Sequence, residues 1–156
     1  MTRSRAFSLG ETLLIVVLMG AFAAFVAPQF AGATEDRRTS DAEVVIGGVR
    51  DAIEIYADRS RERGAATFPT VTELGTPGIV TMRRLPANPF TGARGVQAVT
   101  RAQAENRTVT NQNDAGWNYY FDNTATPPLM IFYANCHTPT TVPARDGSRL
   151  MTANEL

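Results

Sequence analysis

Hydrophobic and polar positions divide the chain into three stretches. From Thr12 to Ala33, 17 of 22 residues are apolar, and no formal charge occurs between Thr12 and Thr34. Leu13 to Phe30 is nearly unbroken, which at 1.5 Å per helical residue spans about 27 Å, close to the hydrocarbon thickness of a bilayer. A polar joint, Ala31 to Thr39, follows. Ser40-Asp41-Ala42-Glu43 then fits a capping box with Ser40 as N-cap. Val45, Val49, Ile53 and Tyr56 recur at helical spacing, with Asp51, Glu54, Asp58, Arg59, Arg61 and Glu62 on the opposite face. This predicts an amphipathic helix to about Arg63, capped by Gly64, with Gly47-Gly48 marking a bend or a close packing contact. Helix running almost unbroken from Phe7 to Arg63 would extend about 85 Å, too long to pack only on its own chain.

Beyond the helix, 64–95 reads as loop with one short helical turn at Thr70-Val71-Thr72-Glu73, closed by Gly75. Strands are expected at Gly95–Thr100, Trp117–Phe121 and Leu129–Tyr133, with the last, apolar to Ala134, as a central strand. The tail from His137 to Leu156 is polar and reads as irregular. The fold class is therefore α+β, a long N-terminal helix on a small antiparallel sheet.

Composition narrows the function. Lys+Arg and Asp+Glu are both 15, so the net charge is zero. Beyond Thr34 there are 13 Arg against 14 acids. That excludes binding of a polyanion by bulk electrostatics, and Arg59, Arg61, Arg63, Arg83 and Arg84 read as solvated positions rather than a DNA-binding patch. Cys136 is the single cysteine, so no intramolecular disulfide or multi-cysteine metal site is possible. Cys136 and His137 are adjacent, and neighbours on a strand face opposite ways, which argues against a catalytic pair and for an inert thiol. Exposed, Cys136 could form an intermolecular disulfide. Asn111, Asn113, Asp114, Asp122 and Asp146 offer loop oxygens of the kind calcium takes, and are also ordinary turn residues. Asn106-Arg107-Thr108 matches a glycosylation acceptor, a frequent chance pattern.

Three readings fit the N-terminal stretch. One is a secretory signal peptide with Ala31-Gly32-Ala33 as its cleavage site, and a second is a plain single-pass anchor with Arg3 and Arg5 on the cytoplasmic side. The third turns on Glu11 at the head of the apolar run. A carboxylate in a membrane helix costs on the order of 2.5–3.5 kcal/mol at the centre and asks for a counter-charge. A cut before Phe7 would free an amine four residues upstream, able to pair locally or with Glu11 of a neighbouring copy.

Ala6-Phe7-Ser8-Leu9-Gly10-Glu11 before an apolar helix resembles the cleavage-and-methylation motif of type IV pilins and type II secretion pseudopilins. Counted from Phe7, Glu11 is fifth and Pro28 twenty-second, as in that family; Ala6 stands where the family usually has Gly. Leu85 to Gly92 and Gly116-Trp117-Asn118-Tyr119-Tyr120 resemble stretches of the major pseudopilin's soluble part. The resemblance implies a leader of residues 1–6, cleavage between Ala6 and Phe7, and N-methylation of Phe7 by a prepilin peptidase. It implies an assembly and transmembrane helix over 7–34, in which Glu11 and Pro28 set register, and a pilin-like extracytoplasmic domain over 35–156. The implied partners are sister copies in a filament, an inner-membrane assembly platform and minor pilins. The implied location is the bacterial inner membrane, then a periplasmic or extracellular filament. No enzymatic activity, no cofactor other than a candidate calcium ion, and no nucleic acid are expected. A DNA-binding uptake pilin and a secreted or anchored soluble binding protein are the alternatives.

Overall fold

The computed structural model describes residues 9–64 and 67–156, and over 25–31 the backbone alone. The chain is α+β. Helix α1 (Leu9–Glu62) leads to α2 (Val71–Gly75), β1 (Val96–Ala98), α3 (Arg101–Glu105), β2 (Trp117–Asp122), β3 (Leu129–Ala134), β4 (Pro139–Pro143), β5 (Leu150–Thr152) and a 3-10 turn, Ala153–Glu155. The chain divides after Glu35 into two units.

Helix α1 has no joint at 31–39. The residues Ala33 to Thr39 include no proline or glycine, so nothing in them halts the i to i+4 ladder, and Arg37 pairs with Asp41 one turn on at 3.9 Å. Ser40 is consequently an exposed interior helical residue, not an N-cap. Thr39 is instead buried, and its Oγ1 accepts a hydrogen bond from Thr141 N–H at 3.2 Å. The buried stripe of the second unit runs Thr39, Ala42, Ile46, Val49, Ile53, Ala57 and Ser60. It is rotated slightly from the expected one: Val49 and Ile53 sit at its centre, while Val45 and Tyr56 lie half-buried at its rim. Small Ala42 and Ala57 let the helix approach closely, and the Tyr56 hydroxyl reaches Glu73 at 2.9 Å. The expected charged face is exposed throughout. The helix ends within a residue of the expected place, with Gly64 at φ 92° and its N–H donating to Arg61 O at 3.0 Å.

The sheet is mixed rather than antiparallel. Its order is β1-β2-β3, β1 being parallel to β2 and β2 antiparallel to β3, with Trp117 opposite Ala134 and Asp122 opposite Leu129. A parallel pair needs a crossover, and 99–116, which includes α3, supplies it. Thr100 and Gln103 form the capping box that starts α3, a Thr-x-x-Gln pattern legible in the sequence. The central strand is therefore β2, not β3. The apolar run of β3 survives at an edge because that edge is covered: Arg50 donates to Phe132 O at 3.2 Å from Nε and 2.8 Å from Nη2. Just beyond the strand, Asn154 N–H and Ala153 N–H bond Cys136 O and Thr138 O. The tail is ordered, not irregular. Strands β4 and β5 pair as a two-stranded ribbon, and Glu155 draws in Thr152 N–H at 2.7 Å and Arg149 Nη1 at 2.7 Å.

The core joins Ile46, Val49 and Ile53 of α1 to Leu74, Leu85, Trp117, Tyr119 and Phe132. Trp117 stacks on Phe132 with ring centroids 5.4 Å apart, and Trp117 Nε1–H donates to Pro86 O at 2.8 Å. Each fully buried side chain of this size contributes about 1.5–3 kcal/mol. The loop through Leu85 and Phe90 is pinned at Asn88, which is fully buried. Its Nδ2 donates to Gly116 O at 2.9 Å and its Oδ1 accepts from Phe90 N–H at 2.9 Å.

Three glycines separate packing from propensity. A Cβ on Gly116 would lie 2.3 Å from Ala93 O, whereas one on Gly47 or Gly48 meets nothing within 4 Å. Of the expected bend or close packing contact at Gly47-Gly48, the packing contact is absent among the described residues. Gly116→Ala should lower the free energy of unfolding by about 1–3 kcal/mol through overpacking. Gly48→Ala should raise it by about 1 kcal/mol through helix propensity. Denaturant midpoints of the two variants check both signs.

Candidate functional site

The strongest candidate surface is α1 from Leu9 to Ala24. Leu9 is 89% exposed and Phe22 71%, and Leu13, Leu14, Ile15, Val16, Val17, Leu18 and Met19 are all exposed. An amphipathic surface helix would bury one stripe; this one is apolar all round, the pattern of a helix made to be surrounded. Glu11 and Thr12 are exposed residues within it. Among the described residues no helix is long and apolar enough to cross a membrane. The apolar run Leu13 to Phe30 continues into 25–31, whose side chains, including that of Pro28, lie outside the described residues. So do Ala6 and Phe7.

In the second unit the sequence-predicted residues are dispersed rather than gathered. Cys136 is buried and His137 exposed, so the two do not form a pair. Asn88 Nδ2 lies 3.6 Å from the Cys136 sulfur. With Cys136 2% exposed, an intermolecular disulfide has no access to it. Of the loop oxygens, Asp122 Oδ1 already accepts from Thr124 N–H at 2.8 Å, the Thr124 hydroxyl at 2.6 Å and Ala125 N–H at 3.2 Å. Asp146 accepts from Ser148 N–H at 3.1 Å and from its hydroxyl at 2.9 Å. These donors hold both carboxyls below the usual range. Asn111 adopts φ 45° in a turn closed by Asp114 N–H to Asn111 O at 2.9 Å. Among the described residues no group of three or more His, Cys, Asp or Glu could hold a metal ion. Asn106 caps α3, its Nδ2 donating to Ala102 O at 2.8 Å. Arg59 and Arg61 lie in the last turn of α1 and Arg63 just beyond it, Arg61 pairs with Asp58 at 2.7 Å, and Arg83 and Arg84 sit on the loop after α2.

Polar residues that the sequence did not single out hold the second unit together. Gln97 Nε2 donates to Asn118 Oδ1 at 2.8 Å, Asn118 Nδ2 to Asn135 Oδ1 at 3.0 Å, and Asn135 Nδ2 to Ala115 O at 2.9 Å. Asn118 and Asn135 are fully buried, and the network stitches β1, β2 and the end of β3 to the crossover. Arg50 and Arg107 are half-buried guanidiniums. Burial and mutual repulsion lower the Arg50 pKa, and Arg107 lies over the Tyr133 ring at 5.3 Å. The Thr-x-x-Gln pattern at Thr100 is a signal in the sequence that could have pointed to this region.

No protein-family model, no curated protein and no solved structure matches the chain.

Two solution properties follow from this geometry. The Cys136 thiol should resist an aromatic disulfide reagent in the native protein and react at once in denaturant, a difference read directly by absorbance. Glu155, held down to about 2 by Arg149 and Thr152, keeps fewer protons folded than unfolded, where its ordinary value is 4.5. Stability contributed by Glu155 is therefore complete above about pH 4.5 and is lost as the pH falls through about 2. Glu155→Gln should flatten that part of the acid-unfolding curve without abolishing it, since Glu73, Asp122 and Asp146 are shifted the same way.

Proposed function

We propose that the protein is a structural subunit of a filament of the type IV pilus or type II secretion pseudopilus kind, polymerised through α1. The observation that carries this reading is the all-round exposure of large apolar side chains from Leu9 to Phe22. Water is a poor surrounding for such a helix, and lipid and sister helices are good ones. In the membrane the segment is an anchor; in a filament the same residues pack against copies of themselves. Gly20, Ala21, Ala23 and Ala24 permit close helix approach.

The motif around Phe7 supplies the route from one state to the other. A prepilin peptidase cuts between Ala6 and Phe7 and methylates the new amine. Glu11 of one copy then meets the Phe7 amine of the next and sets their axial offset, with Pro28 twenty-one residues beyond that amine. The second unit, with its pilin-like order of helix, loop and small sheet, coats the outside.

N-terminal sequencing of the mature protein tests the reading. It should begin at Phe7; a start near Thr34 would indicate a secreted soluble protein, and an uncut Met1 a plain anchor. Glu11→Ala should leave insertion and cleavage intact while lowering filament yield at least about tenfold, the effect of an unpaired charge in a low-dielectric core. An unchanged yield of sheared, sedimentable filaments would refute the role given to Glu11.

A further inference from the structure

Charge in the second unit is segregated in a way that net neutrality conceals. From Leu74 to Ala104 there is no Asp or Glu, yet the stretch contains Arg83, Arg84, Arg94 and Arg101. Arg101 is paired with Glu105 at 2.7 Å. The other three are exposed, and among the described residues they form no ion pair. Arg84 and Arg94 line an open cavity of about 440 Å³ with Gly75, Thr76, Pro77 and Leu85. Beside them on the same loop stand two exposed apolar residues, Ile79 and Met82, the latter 92% exposed.

The outward face of α1 is the converse. Between Asp41 and Asp58 its exposed charges are all acidic, with Glu43, Asp51 and Glu54 outside any ion pair among the described residues. Arg50 is the one cation of that stretch, and it is turned inward to Phe132 O and Leu156 O. Val44, 72% exposed, and Ile55, 51% exposed, share this face. Between them Gly47 and Gly48 leave bare backbone with open space above.

We propose that the loop 79–94 of one copy docks on the outward face of α1 of a second copy. Arg84 and Arg94 receive Asp51 and Glu54 at the mouth of the cavity, and Met82 lies over Gly48 between Val44 and Ile55. The occupant is another copy of this chain because each face supplies the charge and the apolar contact that the other lacks, and pairing them leaves no net charge. The glycines acquire a reason that the single chain does not offer. Such a contact joins two different surfaces, so it propagates along a series of copies instead of closing on a pair. It rests on the proposed filament and adds a lateral contact to the one made by the apolar helix.

The test is a charge-reversal cycle in the chain processed to begin at Phe7, reconstituted in lipid and scored by the sedimentable fraction. Glu54→Arg and Arg84→Glu should each lower assembly by about tenfold, and the two together should restore it to within about threefold. Assembly of the unmodified chain should weaken as salt rises. Gly48→Leu should raise the melting temperature and still lower assembly, a combination that a purely structural role for the glycine does not produce. Single reversals that assemble normally overturn the contact, and so does a double variant no better than the worse single, which would place a partner other than a second copy on one face. If the unmodified chain does not assemble at all, the filament reading itself fails; if it assembles and the cycle is silent, only the lateral contact fails.

Discussion

A helix satisfies its own backbone hydrogen bonds over any length, but it can bury only those side chains for which something else supplies a surface. That asymmetry governs this chain. Helix α1 runs from Leu9 to Glu62. Over its second part the rest of the chain provides the surface, and a stripe from Thr39 to Ser60 is buried. Over Leu9 to Ala24 no such stripe exists and the apolar residues face outward on every side. The same backbone geometry thus serves two different solvation problems. The proposed filament is the answer to the second.

The small domain solves its own problem with polar groups as much as with apolar ones. A three-stranded sheet has edges, and here Arg50 and the 3-10 turn Ala153–Glu155 occupy the β3 side. Asn88, Asn118 and Asn135 are fully buried, and each donates to a loop carbonyl, Gly116 O, Thr108 O and Thr110 O respectively. Side-chain amides suit this task because each carries both a donor and an acceptor. A compact unit in which loops make up so much of the structure depends on such brackets. A carboxylate does the same for the tail, which is ordered despite its polarity: Glu155 ties Thr152 and Arg149 into one turn.

Local patterns in the sequence match the structure where the cause of structure is local. The cap at Thr70, the end of α1 near Gly64 and the strands at Trp117 and Leu129 each follow from a few adjacent residues. The errors have a common origin. The polarity of 31–39 suggests a joint, yet from Ala33 to Thr39 there is no proline or glycine, and polar residues of that kind continue a helix readily. The edge position of β3 is not legible in its apolar run, which suits any covered strand, and what covers it comes from Arg50, over eighty residues away. The ribbon in the tail leaves little trace in the sequence, because Thr- and Pro-rich strands carry a weak alternation.

By itself the sequence determined the α+β class, the extent of the apolar stretch, the cleavage-like motif around Phe7 and the isolation of Cys136, since each depends on residue type and spacing alone. Only the tertiary structure decided the parallel pairing of β1 with β2, the inward turn of Arg50, the brackets formed by the buried asparagines and the emptiness above Gly48. Those depend on which distant segments meet, and a hydrogen bond between residues a hundred positions apart leaves no periodic trace in either neighbourhood.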